Sequence, residues 1–121
     1  TITTIAFSIP LLDPRQVFRV DEWLQSVLWE AVLPNSGMEN TNNQNTQKYE
    51  VHRLKAILIL RNQTVKIVQG VRDIFEIIDA PIDSSHSNRG NENKEGKFVI
   101  IGRGIKDIPF QQSILDWISF S

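Results

Sequence analysis

Apolar residues along the chain recur at two spacings, and each spacing predicts an element. In "TITTIAFSI" the apolar set is Ile2, Ile5, Phe7 and Ile9, the last three at period two, which predicts a strand over residues 2–9. In "DPRQVFRVDEWLQSVLWEAVLP", Val17, Val20, Leu24, Val27, Leu28 and Ala31 follow three and four spacing. That stripe predicts an amphipathic helix running to Val32 and stopping before Pro34. Two starts are compatible with the pattern. Asp13 can cap a helix whose first position is Pro14, or the helix can begin at Val20, with Asp21 and Glu22 near the positive end of its dipole.

The middle of the chain reads as a hairpin, residues 49–60 and 64–71 around "RNQ". Leu54, Ala56, Leu58 and Leu60 alternate on one face of its first arm, with His52 on the same side. Val65, Ile67 and Val71 share a face of the second, and both faces are expected to close on the helix. The other side of the first arm carries Arg53 and Lys55 together with Val51, Ile57 and Ile59. "RDIFEIID" continues as a short strand or extended segment with Phe75 and Ile77 on one side. "GKFVIIGRGI" is a strand in which Phe98 and Ile100 alternate against Val99 and Ile101. "DIPFQQSILDWISF" places Phe110, Ile114, Leu115 and Ile118 at helical spacing behind Asp107 and Pro109. The expected fold is α+β: a two-layer sandwich with a mainly antiparallel sheet of about four strands and helices packed on one face.

Two polar stretches interrupt this pattern, "NSGMENTNNQNTQ" at 35–47 and "DSSHSNRGNENKEG" at 83–96. Both hold little that could offset the entropy of ordering, so they are expected to be flexible loops within one domain spanning 1–121. With 121 residues the chain has one domain's worth of core, and its net charge of −1 gives no general field for nucleic acid or acidic lipid. Cysteine is absent, which excludes disulfides, thiolate metal ligation and a cysteine nucleophile. No apolar run approaches the ~20 residues of a membrane span, and no signal-peptide order is present. A soluble, cytoplasmic protein is expected. The opening residues lack an initiator Met and already alternate as a strand, as expected of a piece cut from a longer chain.

The search for chemistry is mostly negative. His52 reads as a structural strand residue, and His86 lies in a Ser- and Asn-rich stretch with no second ligand at metal spacing. Asp73, Glu76 and Asp79 read as solvated charges flanking a strand, since no nucleophile accompanies them. "GRG" at 102–104 lacks P-loop spacing, and Asn62-Gln63-Thr64 is a chance sequon. What remains is a set of polar residues on strands: Arg53 and Lys55, Gln69 in an apolar face of the next strand, and Arg103 ending "FVIIGR". Trp29 lies nearly opposite the helix's apolar stripe, out of place unless something covers it. Two readings of the cations stand side by side. They are solvated charges paired with Asp73 or Glu76, each pair worth about 0–1 kcal/mol, or they mark a sheet face that docks a partner.

The ordered blocks "VDEWLQSVLWE", "YEVHRLKAILIL", "IVQGVRDIFEI" and "KFVIIGRGI" resemble the C-terminal domain of the CobW family of GTPases, most of all its eukaryotic zinc-regulated metalloprotein activators. The resemblance covers nearly the whole chain. It includes an R-x-K pattern at Arg53 and Lys55, V-Q-x-V at Val68, Gln69 and Val71, and a strand-ending G-R at Gly102 and Arg103. The family often has Gly directly after the Lys, where this chain has Ala56. Bacterial relatives often carry His-rich loops, where this chain has Asn and Ser.

This resemblance implies an accessory domain of a GTP-dependent zinc metallochaperone. It would pack against an N-terminal GTPase domain that carries GTP, magnesium and a cysteine-based zinc motif. It implies no catalytic, cofactor or metal site in these 121 residues, although the parent would hydrolyse GTP. The partners implied are that GTPase domain and a metalloprotein client such as type 1 methionine aminopeptidase. Candidate contact residues are Arg53, Lys55, Gln69, Arg103 and Trp29. The alternative is a purely structural domain that stabilises its GTPase neighbour.

Overall fold

The computed structural model describes residues 1–34, 48–80 and 95–119. Five strands form one sheet: β1 (Ile2–Ile9), β2 (Glu50–Ile59), β3 (Val65–Val71), β4 (Ile74–Asp79) and β5 (Gly96–Arg103). Their order is β1-β5-β2-β3-β4, and every neighbouring pair is antiparallel. The sheet has one strand more than the four expected, because the short segment after Asp73 pairs along its whole length with β3. Among the described residues, two helices, α1 (Val17–Leu24) and α2 (Phe110–Ser119), complete the α+β sandwich.

The first helix starts where Asp13 predicts. Pro14–Gln16 form a 3-10 turn, the Asp13 carboxylate accepts from the Arg15 N–H, and the Gln16 side chain accepts from the Asp13 N–H in a capping box. The helix ends earlier than Val32. Gln25–Trp29 widen into a π-helical turn, and Ala31 follows in the left-handed region at φ 54. The wider turn shifts the helical phase, so Ala31 is exposed rather than part of the apolar stripe. The stripe is completed instead by Trp23, which is fully buried.

Trp23 is the hub of the core. Its ring meets Phe98 at 5.7 Å and Phe110 at 6.3 Å, both edge to face, while Phe7 stacks on Phe98 at 5.3 Å. Its indole N–H donates to Ser113 Oγ at 2.9 Å, which ties α1 to α2. Leu54, Ala56 and Leu58 of β2, Val68 of β3 and Ile100 of β5 close the sheet side of the same cluster.

Two predicted faces are corrected. Val65, Ile67 and Val71 do not close on the helices. They face outward, because antiparallel pairing sets Val68 and Gly70 opposite Ala56 and Leu54 on the core side. Val51 in turn does not share a face with Arg53. A β-bulge between Val51 and Arg53 inserts one residue, so Val51 points inward beside Leu54 and His52 leaves the Leu54 face. The polar stretches at 35–47 and 83–96 lie outside the described residues, except Glu95 and Gly96, and Gly96 already opens β5.

Candidate docking surface

Helices cover one face of the sheet, and the other is open among the described residues. The strand registers lay that open face out in rows running from β1 to β4. One row reads Thr4, Ile101, Arg53, Val71, Ile74. The next reads Ala6, Val99, Lys55, Gln69, Glu76, and the third Ser8, Lys97, Ile57, Ile67, Ile78. Arg103 stands one step beyond the first row, paired across strands with Ile2 and Glu50.

Four of the five sequence-predicted contact residues therefore share this surface. Arg53 and Lys55 lie in adjacent rows, Gln69 is the cross-strand neighbour of Lys55, and Arg103 sits at one end. Trp29 does not belong with them. It projects from the helix layer at the β4 edge, donates its indole N–H to the Asp73 carbonyl at 2.7 Å, and packs its ring 5.8 Å from Phe75. The turn between β3 and β4 is thereby braced by an aromatic that remains 57% exposed.

The suggested pairing of the cations with Asp73 or Glu76 is not found. Among the described residues neither Arg53 nor Lys55 forms an ion pair, while Arg103 approaches Glu50 at 3.9 Å and Lys66 bonds Asp79. Arg53 and Lys55 project from exposed positions, so their charges remain hydrated at no desolvation cost.

Large apolar side chains stand beside them. Ile74 is 75% exposed, Val71 55%, Ile57 45% and Ile78 40%. They form two apolar groups, Val71 with Ile74 and Ile57 with Ile78, separated by the polar row of Lys55, Gln69 and Glu76, and exposed apolar side chains rimmed by charge mark an interaction surface. Lys97, Ile74 and Ile78 belong to this surface as well, though the sequence pattern does not single them out. Lys97 was within reach, since it shares parity with Val99 and Ile101. Ile74 and Ile78 were hidden because β4 is apolar on both faces.

Two other regions carry less chemistry. At the start of β2, His52 Nε2 and Glu50 Oε1 lie 3.2 Å apart, and this hydrogen bond is the main reason the Glu50 carboxyl sits below its ordinary 4.5. A groove beside it, between the π-helical turn and the bulge, is lined by Val27, Leu28, Tyr49 and Val51. Burial pushes the Tyr49 phenol well above its usual value, and its hydroxyl donates to the Val27 carbonyl, so it stays neutral. Among the described residues no three His, Asp or Glu side chains converge as a metal site, and no helix is long and apolar enough to cross a membrane.

No protein-family model matches the chain, and comparison with curated proteins gives no significant match. Solved structures do resemble it. The fold is similar to that of a zinc(II)-bound triple mutant of YjiA GTPase, with a TM-score of 0.58 and 17% identity over 98% of this chain and 29% of that one. It is likewise similar to zinc(II)-bound YjiA GTPase from E. coli, with a TM-score of 0.56 and 13% identity over 99% of this chain and 30% of the other. At that identity the likeness is one of fold. The chain spans less than a third of the length of those structures.

Proposed function

We propose that this chain is the C-terminal accessory domain of a CobW-type GTPase and that its open sheet face is a docking surface, used for client binding or for coupling nucleotide state to metal transfer. The observation that carries the reading is the open face itself. Ile57, Val71, Ile74 and Ile78 lie exposed on it beside Arg53 and Lys55, which form no ion pair among the described residues. The likeness to about 30% of a GTPase, covering nearly all of this chain, supports its place as one part of a larger enzyme. Arg53 and Lys55 of the R-x-K pattern and Arg103 of the G-R pattern share that face, which supports the reading. In this reading GTP, magnesium and zinc belong to the rest of the parent, which hydrolyses GTP, and the client is a metalloprotein of the methionine aminopeptidase kind.

The test is the full-length parent carrying Arg53→Ala with Lys55→Ala. Client capture and zinc transfer should fall while the protein still folds. Unchanged capture, transfer and GTP turnover would remove the docking role. Lower stability with unaltered client affinity per folded molecule would instead identify the cations as struts of a structural domain.

A further inference from the structure

The open face is not uniform, and its asymmetry specifies a partner. Cations occupy the β5 and β2 side: Lys97 beside Ile57, then Lys55, Arg53 and, at the end, Arg103. The β3 and β4 side is apolar at both ends, Ile67 with Ile78 and Val71 with Ile74, and crossed midway by Gln69 and Glu76, the latter its only carboxylate among the described residues. On the β1 side the three rows end in the small residues Thr4, Ala6 and Ser8, with Ile2 beyond them opposite Arg103, so most of that edge offers little to a second packed sheet.

We propose that this strip receives an amphipathic α-helix of a partner protein, laid along β3, with its apolar stripe on Ile57, Ile67, Val71, Ile74 and Ile78 and a row of carboxylates on the flank facing Arg53 and Lys55. The inference rests on the docking reading above and names the shape and charge of what docks. From β2 to β4 the strip spans two interstrand gaps, about 10 Å, which is the width of one helix with its side chains. β3 has seven residues, a length of about 24 Å, which matches a helix of about 16 residues. Acidic residues on one flank complement Arg53, Lys55 and Lys97. Basic residues on the other complement Glu76, so the charges also fix which flank lies over β2. Helix-in-groove recognition uses this division of labour, with apolar anchors for affinity and flanking charges for orientation.

The test uses two synthetic helical peptides with the same leucine stripe, one with Glu along one flank and one with Lys there, titrated into the isotope-labelled chain. The Glu peptide should shift the backbone amides of β2, β3 and β4, and raised salt should weaken it. Arg53→Glu with Lys55→Glu, both at exposed positions, should weaken the Glu peptide by about tenfold or more and favour the Lys peptide. Equal binding of the two peptides, shifts confined to the helix layer, no binding by either, or self-association of the chain through this face would each overturn the proposal. If the parent's Arg53→Ala, Lys55→Ala variant loses client capture while the peptides fail, docking stands and only the helix is wrong. If the peptides bind as expected while that variant keeps full capture, the face takes a helix that is not the client's.

Discussion

Val51 and Leu54 are three residues apart in one strand, yet both face the core, at 9% and 2% exposure. Strict alternation allows only even separations on a shared face. The bulge supplies the odd step, setting Val51 against Gly102 and Leu54 against Ile100, two successive inward positions of β5. Beyond the bulge the outward phase runs unbroken through Arg53, Lys55 and Ile57. The bulge thus lets β2 keep its first residues packed while presenting both cations to the open face.

The bulge depends on Gly102. A Cβ there would lie 2.0 Å from the Glu50 carbonyl oxygen and 3.0 Å from the Val51 Cα, and backbone atoms cannot rotate away. Gly102→Ala should cost about 3 kcal/mol or more, by forcing β2 and β5 apart. Gly70→Ala, whose Cβ would meet nothing closer than 3.4 Å, should cost less than about 1 kcal/mol. Urea midpoints of the two variants measure the difference, and equal midpoints would refute the close-approach account.

One hydrogen bond joins the buried faces of the two helices, beside the Arg19 guanidinium set 4.8 Å over the Trp117 ring. Ser113→Ala leaves the indole N–H of the fully buried Trp23 without its acceptor and should cost about 1–3 kcal/mol. In a cycle with Trp23→Phe, the second substitution should cost less when Ser113 is already Ala. Additive losses in denaturant unfolding would show that the bond contributes nothing.

Removing the two cations should leave the fold intact. Arg53→Ala with Lys55→Ala is expected to change stability by no more than about 0.5 kcal/mol, since both side chains are exposed and unpaired among the described residues. A loss of several kcal/mol in thermal or chemical unfolding would make them struts.

Glu50 gives the acid limb a defined sign. The hydrogen bond from His52, aided by the charges of His52, Arg103 and Arg72, holds its carboxyl below the ordinary 4.5. The folded state therefore takes up this proton less readily than the unfolded chain. Its contribution is complete above pH 4.5 and is lost as the pH falls through the lower folded value. The stability gap between wild type and Glu50→Gln should narrow below pH 4.5 and stay small, because the carboxylate is solvent-exposed. A gap that widens on acidification would contradict the assignment.

Much of the candidate surface was legible in the sequence. Arg53, Lys55, Gln69 and Arg103 were picked out as polar residues on strands, and the registers bring all four to one face. The layer that Trp29 borders was not legible, because a lone exposed aromatic on a helix does not reveal its neighbours. Its hydrogen bond to the Asp73 carbonyl joins residues 44 apart. The outward direction of Ile67 and Val71 was unreadable for a similar reason. β3 is apolar on both faces, so its phase is set by pairing with β2.

Local pattern determined the elements. Period two and the 3.6-residue stripe mark the strands and helices, and Asp13 before Pro14 is one of the two starts they allow for the first helical segment, because capping and alternation act between residues close in the chain. Tertiary structure decided which faces meet water. Strand order and the bulge opposite Ile101 each depend on pairing between distant residues. The open face, with its cations on one side and isoleucines on the other, exists only once five strands are set side by side.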